Sequence, residues 1–219
     1  MREACIERIE KTGIVVIVRG VEREKLLPLA EAMYRGGIRA LELTYDARGE
    51  VTDEETADRI RMLAEHFAGR MTIGAGTVLT EKQVRLTKYA GGEFIISPDA
   101  NPDVIKATRL LGLVSIPGAL TPTEISAAYR AGADFVKLFP VTAFGPGYVK
   151  AVSAPLSHVR FLAVGGITEK NIPEYMAAGV RGIGVGSNIV DKALLEKEDY
   201  EGITAKAMLY TQLLEKLRK

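Results

Sequence analysis

The stretch TPTEISAAYRAGADFVKLFP, residues 121–140, contains one helix followed by one strand, and this unit decides the fold. In its first part, TPTEISAAYRAGA, apolar residues recur three or four positions apart and the pattern stops near Gly132, which predicts an amphipathic helix. In its second part, DFVKLF, a short apolar run ends at a proline, which predicts a strand.

The same alternation of short apolar runs and longer amphipathic runs extends along the whole chain. The other predicted strands are GIVVIV (13–18), IRALELT (38–44), MTIGAG (71–76), EFIIS (93–97), LVSIP (113–117), VRFLAV (159–164) and VRGIGVG (180–186). Strands that alternate with helices pair in parallel through right-handed crossovers. Eight such units, without a linker between them, predict a single-domain (β/α)₈ TIM barrel over residues 1–219. A doubly wound open sheet is the alternative, but that fold does not need eight strands.

The two ends of the chain predict additional helices. The segment MREACIERIEKTG (1–13) is charged and amphipathic, unlike a signal peptide, and DYEGITAKAMLYTQLLEKLRK (199–219) has the pattern of one closing helix. No apolar run approaches the length of a membrane span, so we expect a cytoplasmic protein without a membrane partner.

Composition narrows the function classes. The net charge of +1 predicts no global attraction to nucleic acid, so any anion site must be local. Cys5 is the single cysteine, which excludes an internal disulfide framework and fits a reducing compartment. His66 and His158 lie in polar surroundings, and we therefore expect no metal site built from His and Cys.

A lysine in the middle of an apolar strand is the most unusual feature of the sequence. Because side chains alternate along a strand, Lys137 faces away from Val136 and Leu138, and we expect it to point into the barrel. By the same alternation Glu42, in IRALELT, points inward. These residues lie on the second and sixth strands, and even-numbered strands contribute to the same layer of a barrel core, so the two side chains should face each other.

Two interpretations of this pair are open. A buried structural ion pair is one, but such pairs contribute little stability because desolvation offsets their attraction. In the other, the apolar surroundings lower the pKa of Lys137, and the neutral amine attacks a carbonyl to form a Schiff base. Glu42 would then move protons, directly or through one water. Perturbed buried groups cluster at functional sites, which favours the second interpretation.

Two glycine-containing segments predict a phosphate site. AVGGIT (163–168) ends the seventh strand before a helix expected near Glu169, and GVGSNI (184–189) ends the eighth strand in the same way. Glycines at a strand-to-helix turn let backbone N–H groups approach an anion. The loops after strands seven and eight are the recurring phosphate site of TIM barrels, so Gly165, Gly166, Gly186 and Ser187 are the candidate residues.

The segments GGIRALELT, IGAGTVLT, FIISP, IPGALTPTE, FVKLFP and GVGS occur in the order found in a known family. The chain resembles the 2-keto-3-deoxy-6-phosphogluconate (KDPG) and 4-hydroxy-2-oxoglutarate (KHG) aldolases from about Ile14 to Val190. The resemblance implies a cytoplasmic class I aldolase that needs no metal or cofactor and assembles as a homotrimer.

The resemblance also assigns roles to single residues. It implies that Lys137 is the Schiff-base lysine, that Glu42 is the general acid and base, and that Thr77 helps to hold the pyruvyl carboxylate. Gly165, Gly166 and Ser187 match phosphate-binding residues, and Pro98 and Pro117 match prolines that shape the mouth of the pocket.

The sequence departs from the family pattern at two positions. Some members carry a carboxylate-binding arginine four residues after the catalytic glutamate, where this chain has Asp46. Other members have an arginine at the end of the first strand, and we therefore assign carboxylate binding to Arg19. An exposed charge without that role is the alternative. Val164 replaces a threonine that contacts a substrate hydroxyl, so we expect only modest selectivity between substrates epimeric at C4.

Two aromatic residues next to the predicted site are assigned structural positions without a role in the reaction. We expect Phe139 to be part of the core and to keep Lys137 dry. One interpretation of Tyr45 and Arg48 is that they line the mouth of the site, but we favour a solvated loop.

The predicted reaction is cleavage of 2-keto-3-deoxy-6-phosphogluconate, or of 4-hydroxy-2-oxoglutarate, to pyruvate and an aldehyde. The aldehyde would be glyceraldehyde 3-phosphate or glyoxylate. Two alternatives remain open at this point. One is a phosphosugar epimerase or isomerase in which Lys137 and Glu42 exchange protons without a covalent intermediate. The other is a barrel that only binds a phosphometabolite or serves as a scaffold.

Overall fold

Parallel strands surrounded by helices form a nearly closed barrel in the computed structural model, which describes residues 2–218. The strands are β1 (Ile14–Val18), β2 (Ala40–Thr44), β3 (Thr72–Gly76), β4 (Phe94–Ile96), β5 (Val114–Ile116), β6 (Gly118–Ala119), β7 (Val136–Leu138), β8 (Phe161–Val164) and β9 (Gly182–Val185). The helices are α1 (Arg2–Thr12), α2 (Arg23–Arg35), α3 (Asp53–His66), α4 (Glu81–Tyr89), α5 (Pro102–Leu110), α6 (Pro122–Ala131), α7 (Gly145–Ser153), α8 (Ile172–Ala177), α9 (Lys192–Glu196) and α10 (Tyr200–Leu217), with a 3₁₀ turn at Val141–Ala143. The predicted fold class is confirmed.

The eight predicted strands are present, and the fifth is divided into two pieces. Pro117 separates β5 from β6, and proline has no backbone N–H with which to continue a ladder. β5 pairs with β4 and β6 pairs with β7, so the sheet order is β5-β4-β3-β2-β1-β9-β8-β7-β6. The proline therefore marks the seam of the barrel.

The helix in the opening stretch shows why these segments fold locally as they do. The Thr121 side chain accepts a hydrogen bond from the backbone N–H of Glu124, and the Glu124 carboxylate accepts one from the Thr121 N–H, which forms a capping box. The helix ends at Gly132, whose φ of 109° suits glycine and few other residues. The capped helix then leads directly into β7.

Side chains from alternate positions divide the core into two parts. One part lies between the strands and the helices and includes Val136 and Leu138. The other fills the interior of the barrel; from the strands it takes Val15, Ala40, Phe94, Ile96, Val114, Ile116, Phe135, Leu162 and Val164. Helix α1 adds Cys5, Ile6 and Ile9 to this inner part, and it thereby closes the amino end of the barrel.

The predicted terminal helices are α1 and α10. Two details near the seventh and eighth strands differ from the prediction: α8 begins at Ile172 instead of near Glu169, and the short helix α9 was not anticipated. That residues 1–219 form one domain stays a prediction, and Met1 and Lys219 lie outside the described residues. Within residues 2–218 no helix is long and apolar enough to cross a membrane.

Candidate active site

Glu42 and Lys137 lie inside the barrel, as strand alternation predicts. Glu42 shares its strand face with Ala40, and Lys137 shares its face with Phe135, and both of these apolar residues belong to the inner core. Glu42 is 1% exposed and Lys137 is 8% exposed. The two side chains come from opposite arcs of the sheet, near the carboxyl ends of β2 and β7, where active sites of this architecture lie.

Burial perturbs both groups toward their neutral forms. Desolvation raises the pKa of Glu42, against the opposing effect of the positive charges of Lys137 and Arg19. Desolvation lowers the pKa of Lys137, Arg19 lowers it further, and the Glu42 carboxylate opposes the change. Glu42 Oε2 is buried and has no hydrogen-bond partner among residues 2–218. The site therefore holds a lysine biased toward the free amine and a carboxyl group able to bond another molecule.

Phe139 lies beside Lys137 and is not part of the core. Strand β7 ends at Leu138, so Phe139 lies beyond the ladder and is 38% exposed. The Lys137 Nζ atom is 4.8 Å from the centroid of the Phe139 ring. The prediction of a core position was wrong, because it extended the strand one residue too far. The ring nevertheless shields the amine.

Arg19 reaches toward the end of β3. It follows β1, is exposed, and donates a hydrogen bond from Nη2 to Thr77 Oγ1 at 3.1 Å. Thr77 has a φ of 55°, a left-handed conformation that is a genuine outlier for a β-branched residue. Such outliers persist where surrounding structure holds them and are concentrated at binding sites. The two residues thus form a contact between the strands on either side of Glu42.

Asp46 has a structural role in this chain. Its carboxylate accepts hydrogen bonds from the backbone N–H groups of Arg48, Glu50 and Val51, at 2.9, 2.7 and 3.0 Å. These bonds hold the pKa of Asp46 below its ordinary value and fix the loop that follows β2. The residue at this position therefore organises the loop and presents no cation to a substrate.

Tyr45 was predicted to lie in a solvated loop, and this was wrong. It is 1% exposed, and its hydroxyl bonds to Thr87 Oγ1 at 2.9 Å and to the carbonyl oxygen of Gln83 at 3.1 Å. An aromatic ring with a partnered hydroxyl fits the space between sheet and helix α4.

The two prolines lie at the seam near Lys137. The carbonyl oxygen of Pro117 accepts a hydrogen bond from the backbone N–H of Lys137 at 2.9 Å. The residue between β5 and β6 is thus bonded to β7, the strand that carries Lys137. Pro98 is exposed, and its carbonyl lies so close to Gly118 that a Cβ at position 118 would overlap it. Pro98 is therefore exposed near the seam, whereas Pro117 is buried within it, beside the strand of Lys137.

The glycine turns after β8 and β9 are open to solvent at the same end. Gly165 and Gly166 have φ values of 97° and 74°, so this turn requires glycine. Helix α8, which follows the first of these turns, is short and begins only at Ile172. Its dipole therefore does not act at the predicted phosphate site, and the backbone N–H groups of the turns remain as the candidate donors. Gly186 is partly buried, and Ser187 is exposed.

Two residues that the sequence did not single out support these turns. Thr142 donates a hydrogen bond from its hydroxyl to the carbonyl oxygen of Gly165 at 2.9 Å. Asn188 donates from Nδ2 to the carbonyl oxygen of Ile167 at 2.7 Å and so connects the two turns. Asn188 lies inside the segment GVGSNI, but its partner is distant in sequence, and only the fold identifies it.

A cavity of about 510 Å³ opens at this end between β1 and β9. Its lining includes Arg19, Gly186 and Ser187, so one candidate carboxylate residue and two candidate phosphate residues share this opening. Lys137 and Glu42 do not line it. Among residues 2–218, no group of three or more His, Cys, Asp or Glu side chains is arranged to hold a metal ion.

Comparison with known proteins identifies relatives of the chain. The family model for KDPG and KHG aldolases matches residues 5–206. A "Probable 2-dehydro-3-deoxy-6-phosphogalactonate aldolase" of Rhizobium meliloti is 37% identical over 80% of this chain and 81% of its own length. The KHG/KDPG aldolase of Escherichia coli K12 is 36% identical over 90% of this chain and 91% of its own length.

A solved structure resembles the fold closely. The KDPG aldolase of Legionella pneumophila, with pyruvate captured as a covalent carbinolamine, superimposes with a TM-score of 0.83. It is 30% identical to this chain, and the superposition covers 93% of this chain and 96% of that one.

Proposed function

The chain belongs to the KDPG and KHG aldolase family, whose members are carbon–carbon lyases, and on this premise we propose that it is a class I aldolase. It would cleave a phosphorylated 2-keto-3-deoxy sugar acid to pyruvate and glyceraldehyde 3-phosphate, or 4-hydroxy-2-oxoglutarate to pyruvate and glyoxylate. The observation that carries the proposal is the buried Lys137 inside the barrel, with Glu42 buried on the opposite arc.

Lys137 supplies the nucleophile. Its amine, held toward the neutral form by burial, adds to the C2 ketone of the substrate and gives a carbinolamine. Loss of water leaves a protonated imine. When the C4 hydroxyl loses its proton and the C3–C4 bond breaks, the bonding electrons pass into this imine and form an enamine while the aldehyde leaves. The enamine takes a proton at C3, and water hydrolyses the resulting imine to pyruvate and the free amine.

Glu42 moves the protons of this sequence. It gives a proton to the oxygen that leaves C2 as water, accepts the proton of the C4 hydroxyl, and returns a proton to C3 of the enamine. The raised pKa of Glu42 makes its carboxylate a better proton acceptor than an ordinary glutamate. The captured carbinolamine in the Legionella pneumophila KDPG aldolase supports the covalent route.

The remaining residues orient the substrate. Arg19 and Thr77, joined by their hydrogen bond, would bind the pyruvyl carboxylate through charge-assisted hydrogen bonds. The turns at Gly165–Gly166 and Gly186–Ser187 would bind the phosphate through backbone N–H groups and the serine hydroxyl. Pro98 and Pro117 would shape the opening between these ends.

We propose that the gluco- and the galacto-configured 2-keto-3-deoxy-6-phospho acids are both substrates. Val164 is 6% exposed and belongs to the inner core, so it offers an apolar wall where a hydroxyl would otherwise stand. The relative from Rhizobium meliloti bears the galactonate name, but the relative from Escherichia coli is nearly as similar, so identity alone does not separate the two acids.

The experiment is a pyruvate-release assay with both phosphorylated epimers and with 4-hydroxy-2-oxoglutarate, each with the natural protein and with Lys137→Arg. An aldolase releases pyruvate and aldehyde in equal amounts, and only in the natural protein. Conversion of substrate without pyruvate would instead support an epimerase or isomerase, and no conversion of any of them would support a binding barrel. Assembly as a homotrimer, and the cytoplasmic location, also stay predictions; sedimentation of the purified protein tests the first.

A further inference from the structure

Gly76, the last residue of β3, lies directly against the carboxyl group of Glu42. A Cβ atom at position 76 would overlap Oε1 and Cδ of Glu42 and lie 2.6 Å from its Cγ. Contacts that close are not tolerated in packed proteins. The carboxyl group therefore occupies the space that a side chain at position 76 would need.

The backbone does not require glycine at this position. The residues with a left-handed φ include Thr77, the next in sequence, but not Gly76. Alanine could adopt the strand conformation of Gly76 without backbone strain, so the missing side chain matters for the space that it leaves.

The register of the strands shows the direction in which Glu42 leans. The ladder partner of Glu42 on β3 is Gly74, whereas Gly76 is the partner of Thr44. The Glu42 carboxyl group thus contacts β3 two residues beyond the ladder partner of Glu42. The side chain therefore leans over the neighbouring strand, toward the carboxyl end of the barrel. In that position no hydrogen bond or ion pair among residues 2–218 joins it to Lys137.

We propose that Gly76 is a positioning residue for the reaction. By lacking a side chain, it lets the carboxyl group of Glu42 rest on β3 and keeps that group apart from Lys137. The amine then stays unpaired for attack on the ketone, and the carboxyl group stays free to move protons. The consequence for catalysis rests on the proposed function, whereas the packing claim does not.

A methyl group at position 76 would displace the carboxyl group into the barrel interior. The charged groups that face this space are Glu42, Lys137 and Arg19. A carboxylate nearer to Lys137 raises the lysine's pKa, so the neutral amine forms at a higher pH. We therefore expect Gly76→Ala to lower kcat by roughly 10²-fold, the scale of a misplaced catalytic group, and to move the rising limb of the pH profile upward.

The matched control is Gly74→Ala. Gly74 lies on the same strand and the same inner face, but a Cβ there would overlap the ring and carbonyl of Phe94 instead of Glu42. We expect Gly74→Ala to lower the thermal midpoint through overpacking and to leave the pH profile in place. An equal upward shift in both variants would overturn the proposal.

Thermal midpoints keep the packing claim testable if Gly76→Ala is too unstable for kinetics. If the methyl group clashes with Glu42, then Glu42→Ala raises the melting temperature more in the Gly76→Ala background than in the natural background. If Glu42→Ala has the same effect in both backgrounds, the clash lies elsewhere and the proposal fails. This comparison does not depend on activity, so failure of the aldolase assignment and failure of the packing claim are distinguishable.

Discussion

Two buried carboxylates at opposite ends of the barrel have opposite surroundings. Asp134, at the amino end before β7, has a side chain that is 5% exposed and bonds to Arg2 Nη2 at 2.6 Å, to Arg109 Nη1 at 2.9 Å and to the backbone N–H of Ser115 at 3.0 Å. Glu42, near the carboxyl end of β2, is 1% exposed, and its Oε2 has no partner within residues 2–218.

The difference indicates that one carboxylate stabilises the fold and that the other is suited to a reaction. A buried carboxylate with all its hydrogen bonds made strengthens the fold, whereas an unpartnered one costs stability and persists only because the surrounding fold holds it. Asp134 and Lys137 are three residues apart on one segment, yet the first joins α1 and α5 to the barrel and the second faces the site. We therefore expect substitutions at the amino end to change stability and substitutions at the carboxyl end to change activity.

The largest expected effect is that of Glu42→Gln. The amide keeps the size of the side chain but cannot transfer the protons, so kcat should fall by roughly 10²- to 10⁴-fold, while thermal stability is retained. Steady-state kinetics and thermal melting of the same preparation measure both.

Asp134→Asn is the counterpart at the amino end. It weakens the charge-assisted hydrogen bonds from Arg2 and Arg109, so the free energy of unfolding should fall by about 2–3 kcal/mol while kcat is kept. Equal losses of kcat in Glu42→Gln and Asp134→Asn would contradict the distinction between the carboxyl and amino ends of the barrel.

The next effect is that of Arg19→Ala at the carboxyl end. Loss of a charge-assisted hydrogen bond should weaken the binding of pyruvate and of substrate alike by about 1.5–3 kcal/mol, without loss of fold because Arg19 is exposed. Arg109→Ala is the matched control, since it removes an arginine from the partnered carboxylate and should lower stability without changing pyruvate affinity. Unchanged pyruvate affinity in Arg19→Ala would mean that Thr77 and the backbone hold the carboxylate.

The pH dependence of Lys137 reactivity should follow the charges around it. Burial lowers the pKa of Lys137, so its amine should react at a lower pH than an ordinary lysine, whose pKa is about 10.4. Glu42 raises that pKa and Arg19 lowers it; Glu42→Gln should therefore move the midpoint of reactivity downward, and Arg19→Ala should move it upward. Labelling with an amine-specific reagent across pH, with exposed Lys150 as the internal reference, measures the midpoints. Shifts in the reverse directions would contradict this electrostatic account.

The smallest effect concerns Val164, an apolar side chain of the inner core at the end of β8. We expect the natural protein to separate the C4 epimers by less than roughly 10²-fold in kcat/KM, and Val164→Thr, of nearly equal size, to increase the separation. The comparison uses both phosphorylated epimers with both proteins. A natural protein that already separates them by several orders of magnitude would show that other residues read the configuration at C4.

Strand alternation was sufficient to place Lys137 and Glu42 inside the barrel, because side-chain direction in a strand has a period of two and the strands were recognised from their apolar runs. The same reasoning failed at Phe139 and Tyr45, which lie at strand ends, where a difference of one residue changes burial.

Other features depend on contacts between distant segments. That Asp46 organises its loop, that Asn188 connects two turns and that Gly76 accommodates Glu42 follow only from the folded arrangement. No local pattern in the sequence distinguishes Gly76 from Gly74, although their neighbours differ completely.

Borohydride reduction in the presence of pyruvate tests the central claim most directly. The buried amine of Lys137 should form an imine that reduction makes permanent, so peptide mass spectrometry should find one reduced pyruvyl group, on Lys137 alone. Lys137→Arg, which keeps the charge but cannot form the imine, should gain no label and show no turnover. Label on another lysine, or full activity in Lys137→Arg, would contradict the Schiff-base mechanism.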